Sequence, residues 1–226
     1  MVIGTKRVRK LSNTQPIQRQ LGHYTKGLEL VQTLPDTPER IPQELDIRIA
    51  LGSALIVTKG FAAPEVEHIY NRARALCQQV EDSPQLFRVL VGLRRFYLVR
   101  GELRNAHGLA EQLLALATSL RDPEYLLEAH FALVMTLYHH LGAFASSYQH
   151  AELGLALYNR QEHRSLAFTY GIDPGVHCLT YAAGALWVQG YAQQGIVRMH
   201  EALTLAHELD HPFSLARALL MAADLH

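Results

Sequence analysis

The chain has 226 residues, of which 49% are hydrophobic and 19% charged, a balance that excludes a disordered polymer and can fill a substantial core. Its 21 basic and 21 acidic residues cancel, so net charge recruits neither specific nucleic acid nor an anionic membrane. No apolar run reaches the roughly 18–20 residues of a membrane helix, and the two distant cysteines, Cys77 and Cys178, read as buried reduced thiols of a cytoplasmic protein.

In chain order, residues 1–15 carry Lys6, Arg7, Arg9 and Lys10 with no apolar segment behind them, and read as a basic, disordered tail rather than a secretory signal. A first helix is expected over 16–34, with Pro16 in its first turn. A turn follows at 35–38, then a helix running to Lys59 and a second over 64–80. Helix pairs are expected over 84–120 and 123–159, an irregular insertion at 160–172, a further pair over 174–209, and a last helix from Pro212.

Punctuation makes these segments a repeat. Gly60, Gly101, Gly142 and Gly190 each separate two apolar-periodic stretches, and the first three are spaced 41 residues apart. Between them fall Asp82-Ser83-Pro84, Asp122-Pro123, Asp173-Pro174 and Asp210-His211-Pro212. In such strings a polar side chain caps the coming helix and proline occupies its first turn, where a missing N–H costs nothing. Each unit therefore reads as helix A, glycine turn, helix B, Asp/Pro turn. Leu90, Leu93 and Tyr97 share one face of an A helix, as do Phe131, Val134 and Tyr138, and then Leu179, Ala182 and Leu186. Ala106, Leu109, Ala110, Leu113 and Ala117 form a small-residue stripe on a B helix, the kind that lets neighbouring helices approach closely. The expected fold is all-α: a right-handed superhelical α-solenoid of antiparallel helix hairpins.

The expected array, 16–226, opens on a B-type helix and closes on an A-type helix, and is incomplete at both ends. Leu215, Ala218, Leu219, Ala222 and Leu225 leave an apolar stripe on that last helix. A fragment of a longer protein, or self-association through this helix, would account for it.

Several strings carry a family resemblance. They are Gly27-Leu28-Glu29-Leu30 with Leu34-Pro35-Asp36-Thr37-Pro38-Glu39-Arg40, Thr58-Lys59-Gly60-Phe61-Ala62-Ala63-Pro64-Glu65-Val66, and Phe96-Tyr97-Leu98-Val99-Arg100-Gly101-Glu102-Leu103. His163-Arg164-Ser165-Leu166-Ala167-Phe168 leads into Asp173-Pro174-Gly175-Val176, and Gly190-Tyr191 precedes His211-Pro212-Phe213-Ser214-Leu215-Ala216. In this order they resemble the tetratricopeptide-like (TPR-like) C-terminal repeat arrays of bacterial ATPases that carry adenylate or guanylate cyclase, kinase or DNA-binding domains. The resemblance implies a non-catalytic interaction and regulatory scaffold, the arm of an ATPase- or cyclase-type signalling protein, with a protein or peptide partner and no cofactor. A small-molecule sensor controlling such an ATPase is the alternative. The chain lacks the Gly-x-x-x-x-Gly-Lys-Ser/Thr phosphate loop, so ATPase activity is not assigned to it. Its repeat is also longer than the 34 residues of the standard tetratricopeptide motif.

One string looks enzymatic. His207-Glu208-Leu209-Asp210-His211 matches the His-Glu-x-x-His pattern of zinc hydrolases, which needs both histidines one turn apart on a continuous helix. Pro212 follows at once and Asp210 sits at a turn position, so His211 is expected off the helix and a metallohydrolase is disfavoured. Neither of the other histidine pairs, His139-His140 and His200 with His207, has chelating spacing.

The resemblance also places the binding groove on the A helices, at thirteen, ten, six, three and two residues before each turn glycine. Applied to Gly101, Gly142 and Gly190, this selects Arg88 and Arg95, then Thr136, His139 and His140, then His177, Thr180 and Trp187. Arginine and tryptophan are frequent binding hot spots, and paired arginines suit a carboxylate-bearing peptide or an acidic ligand. The insertion is a second candidate surface: Phe168 and Tyr170 either cross the groove or plug the core.

Overall fold

The computed structural model describes residues 15–35, 37, 40–80, 83–167 and 172–225. The basic tail lies outside these residues, apart from Gln15, and so do Phe168 and Tyr170 of the insertion. The elements among the described residues are all helices, with no strand among them.

The chain divides into two compact units, residues 1–81 and 82–226. The first holds α1 (Gln15–Thr33), α2 (Arg40–Lys59) and α3 (Pro64–Val80). α2 packs against both neighbours and supplies most of the buried face, including Leu45, Ile49, Leu51, Ala54 and Leu55. Gly52 is what lets α3 come close: a Cβ there would stand 2.6 Å from the buried Tyr70 ring. Glu44 and Arg48, one turn apart on α2, are buried as an ion pair at 2.7 Å.

The second unit holds α4 (Ser83–Val99), α5 (Leu103–Leu120), α6 (Pro123–Thr136), α7 (Phe144–Leu157), the short α8 (Arg160–His163), α9 (Pro174–Val188), α10 (Ala192–Leu209) and α11 (Pro212–Ala223). Consecutive helices α4/α5, α6/α7 and α9/α10 form hairpins, and α5 and α7 also pack against the A helix that follows, α6 and α9 respectively. These bounds agree with the segments read from the periodicity to within a few residues.

The turns explain the agreement. Gly60, Gly101, Gly142 and Gly190 all have positive φ, between 58° and 89°, which glycine adopts without steric cost. At the B-to-A turns that left-handed residue is Arg121, φ 56°, or Asp210, φ 52°, and the next residue caps the new helix. Asp122 accepts from the backbone N–H groups of Glu124 and Tyr125, and Asp173 from that of Val176. Each is followed by proline in the first turn. The last turn departs from the expectation: Asp210 closes α10 and it is His211, through Nδ1, that accepts from Ser214 N–H. The helix is therefore broken between His207 and His211, which the zinc-hydrolase geometry cannot tolerate.

Small residues set the helix spacing in this unit. Ala106, Ala110 and Ala117 of α5 are buried, as are Ala151 of α7 and Ala202 and Ala206 of α10. At Gly195 of α10 a Cβ would meet the Ala183 carbonyl of α9 at 2.9 Å, so only glycine permits this approach. Cys77 and Cys178 are both buried and not joined in a disulfide.

The described part of the insertion, residues 160–167, is more regular than its sequence suggested. Asn159 caps α8 by accepting from Gln161 N–H, and Leu166 and Ala167 are buried. Arg160 pairs with the Glu208 side chain and donates to its carbonyl at 3.3 Å, and Arg164 donates to the Leu209 carbonyl at 3.4 Å. Two guanidinium groups thus meet the negative end of the α10 dipole and its unpaired carbonyls.

Candidate functional site

α6 is buried from Leu127 to Val134 and α9 from Pro174 to Leu186, so a polar residue within these stretches is inside the second unit. Glu128 and Thr136 of α6 and His177 and Thr180 of α9 are all 0–1% exposed. The two threonines are satisfied within their own helices: Thr136 Oγ1 donates to the carbonyls of Ala132 and Leu133, and Thr180 Oγ1 to that of His177. This back-bonding is the ordinary way a helix accommodates a buried hydroxyl.

Glu128 and His177 are not satisfied in that way. Neither Glu128 oxygen receives a protein hydrogen bond, nor does either His177 ring nitrogen have a partner, and Arg94 Nε is likewise unpaired. A buried polar group without a hydrogen bond costs about 1–3 kcal/mol. Arg95 Nη2 stands 3.6 Å from Glu128 Oε1, an ion pair too long for a hydrogen bond. Burial holds the Glu128 carboxyl up at about 7 against the pull of Arg95 and Arg94. Burial also brings Arg94, 1% exposed, down to about 10, with Glu128 opposing and Arg95 adding to the fall. Its guanidinium lies 5.8 Å from the centre of the Phe131 ring and approaches Met135 Sδ at 3.9 Å, soft contacts that replace little of its lost hydration.

Aromatic rings continue this seam across the unit. His177 meets Phe131 edge-on at 4.4 Å and stacks on Tyr181 at 4.8 Å. Burial, with Arg217, Arg94, His139 and Arg95 adding to it, pushes the His177 imidazole well below its usual range, so the ring is neutral. The Tyr181 hydroxyl joins three elements. It accepts from Arg217 Nη2 of α11 at 2.7 Å and lies 2.7 Å from Nε2 of His139. With Arg217 as donor, the hydroxyl proton goes to His139, which requires that nitrogen to be unprotonated; burial and Arg217 lower the His139 pKa in the same sense.

The backbone feature that aims Tyr138 and His139 here is a π-helical turn, Leu137–Leu141, between α6 and Gly142. Such turns take up one extra residue within a helix and recur at functional sites. Tyr138 packs edge-on against Tyr181 at 5.0 Å, and Gly184 makes room for it, since a Cβ there would lie 2.7 Å from its hydroxyl. The extra residue also accounts for what the sequence reading missed. Counting back from Gly142 by the repeat's offsets gave Ala129, Ala132, Thr136, His139 and His140; one residue earlier lie Glu128, Phe131, Met135, Tyr138 and His139, the side chains that form the seam.

Of the residues chosen from sequence, the structure thus brings Arg95, His139 and His177 together, with Arg94, Glu128, Phe131, Tyr181 and Arg217 as unanticipated members. Thr136 and Thr180 are enclosed in their helices. Arg88 on α4 is exposed and Trp187 in the last turn of α9 is 37% exposed. The His140 side chain lies outside the described part of the structure. A lone glutamate in an otherwise apolar stretch, Leu127-Glu128-Ala129-His130-Phe131, was the available signal for Glu128.

Among the described residues no group of three or more His, Cys, Asp or Glu side chains could hold a metal ion. Nor is any helix among them long and apolar enough to cross a membrane.

No protein-family model matches the chain, and none of the curated proteins does. Solved structures do. The chain is similar to BtubC (BKLC) from P. vanneervenii, at 15% identity and a TM-score of 0.67, over 92% of this chain and 85% of that one. It is similar to the apo form of RapI, at 12% identity and a TM-score of 0.72, covering 86% of this chain but only 65% of RapI. A kinesin light chain-like protein of Podosopora anserina with nearly identical TPR-like repeats matches at 17% identity and a TM-score of 0.59, over 87% and 94% of the two chains. The fold is a TPR-like helical repeat.

Proposed function

We propose that the protein is a non-catalytic interaction scaffold whose docking face is formed by α4, α6, α9 and α11 of the second unit. The observation that carries this reading is the polar seam on that face. Buried Arg94, Glu128 and His177 keep unpaired polar atoms, an arrangement that fold stability alone does not favour. Conformational stability is commonly given up where a site must bind. Arg88, Arg95 and Trp187 supply exposed or partly exposed arginine and tryptophan, residue types that dominate binding energy at interfaces. The TPR-like fold is consistent with a protein or peptide partner. In its wider setting we read the chain as the repeat arm of an ATPase- or cyclase-type signalling protein, acting in the cytoplasm, which is what the ordered strings around Gly60, Gly101 and Pro212 suggest.

Capture of partners from a lysate of the source cell tests the reading. The Arg88→Ala/Arg95→Ala/Trp187→Ala triple variant is expected to lose a protein that the native chain retains, at unchanged helicity by circular dichroism. Retention of the same protein by the folded triple variant would sink the assignment of this face.

A further inference from the structure

Apart from the seam, the α6/α7 hairpin holds a pair of imidazoles for which the docking face has no use. His130 of α6 is 9% exposed, His150 of α7 is half-buried, and their Nδ1 atoms lie 3.0 Å apart. The rings are not stacked: their centres are 5.2 Å apart and their planes inclined by 36°, so they meet edge to edge through these two nitrogens. Only one Nδ1 can carry a proton in such a contact, and the other turns a lone pair towards it. Close packing holds the pair in place. Ser147 and Ala151 of α7 are buried, and Ser147 Oγ donates to the Val134 carbonyl of α6 at 3.0 Å. One turn after His150, a Cβ at Gly154 would stand 3.6 Å from His130 Cβ and 3.0 Å from Cys178 Sγ, so α7 has no room to move inward.

We propose that His130 and His150 form a zinc site, binding one Zn2+ through their two Nδ1 atoms with water in the remaining positions. Two N–Zn bonds form, the proton held between the rings moves to the Nε2 of the ring that donated it, and the two side chains neither gain nor lose a proton overall. The ion clips α6 to α7, the hairpin that carries the π turn.

The donors and their spacing select the metal. A tetrahedral zinc ion with Zn–N bonds of about 2.0–2.1 Å sets two nitrogens about 3.3 Å apart, so the rings need to part by only about 0.3 Å. A linear two-coordinate ion with bonds of that length would need about 4 Å, which the fastening at Ser147 opposes. Magnesium and calcium take oxygen ligands and gain little from imidazole. Two nitrogens are fewer than the three or four protein ligands of catalytic and structural zinc sites, so the affinity is micromolar rather than nanomolar, and the half-buried side of His150 leaves water free to complete the shell. Without a metal, the contact amounts to a single neutral N–H···N bond, which offsets little of the hydration that two imidazoles lose.

Zinc titration of the full chain, freed of metal with EDTA and held near neutral pH against a chromogenic chelator, tests the site. Long-range proton–nitrogen correlation of the imidazoles identifies the bound atoms. One Zn2+ per chain is expected to bind with a Kd on the order of 10 µM and, at about 0.1 mM, to raise Tm by about 4 °C. Mg2+ and Ca2+ at the same concentration are expected to leave Tm unchanged. The correlation is expected to show two histidines bound through Nδ1, both with the proton on Nε2. His150→Gln is expected to lose at least tenfold in affinity, and His200→Gln, an exposed position on α10, to lose none. Absence of zinc binding, zinc held through Nε2 atoms, or His150→Gln binding as tightly as the native chain would each overturn the site. The bound atoms are read on the native chain, so the outcome does not depend on how the variant folds, and none of these results bears on the docking face.

Discussion

Glu128→Gln is expected to make the protein more stable at pH 8, by up to about 3 kcal/mol, and to change little at pH 4.5. The sign follows from where the carboxyl titrates. In the unfolded chain it ionises near 4.5, whereas burial in the fold holds it at about 7. Between those values the folded protein keeps a proton that the unfolded chain has released, so this group makes the native state progressively less stable as pH rises from 4.5 to 7. Above 7 the full difference persists, because the buried carboxylate is then charged and its two arginines do not offset the lost hydration. Glutamine keeps the shape and removes the charge. Other groups titrate in both proteins and cancel in the comparison. Urea unfolding at pH 4.5 and pH 8 measures it. A variant less stable than the native chain at pH 8 would mean that Glu128 is a structural ion-pair partner, and the argument that it is retained for binding would fall.

Asp173→Ala is the change expected to weaken the fold most, by about 2–4 kcal/mol. Asp173 is fully buried, and its carboxylate does two things at once. One oxygen caps α9 by accepting from Val176 N–H at 2.9 Å; the other accepts from the Tyr158 hydroxyl at 2.9 Å, tying the end of α7 to the start of α9. Its own N–H donates to Ser214 Oγ at 2.9 Å, and Ser214 lies 2.8 Å from His211 Nδ1, so the same residue anchors α11. Losing the cap costs about 1 kcal/mol, and leaving the half-buried Tyr158 hydroxyl without its acceptor about 1–3 more. A double-mutant cycle with Tyr158→Phe isolates the side-chain bond. Coupling of at least about 1 kcal/mol is expected; additive losses would show that the two residues do not act together.

These two residues also mark how far the sequence could be read. Asp173 was legible because a cap followed by proline is a local signal: both parts act within one turn, and neither needs a tertiary partner. The same holds for Asp122 and for the turn glycines, whose positive φ is imposed by the chain reversal itself. The last turn was half legible, since the pattern marked the break at 210–212 but a histidine ring, rather than Asp210, caps α11. Glu128 was not legible. Its place was sought by counting from Gly142 as though the helix were regular, and the π turn displaced the count by one residue. Nothing local in Leu137-Tyr138-His139-His140-Leu141 announces that turn. It coincides with the packing of Tyr138 and His139 against Tyr181, on a helix more than forty residues further along the chain. Arg217 likewise reaches the seam only because α11 folds back against α9.

The central claim is that the A-helix face of the second unit is where a partner sits. Hydrogen–deuterium exchange of the full chain, alone and with the protein it captures, tests this most directly. The account predicts slowed exchange in α4, α6, α9 and α11, including the π turn at Leu137–Leu141, with α5, α7 and α10 unchanged. Protection confined to α5, α7 and α10 would contradict it.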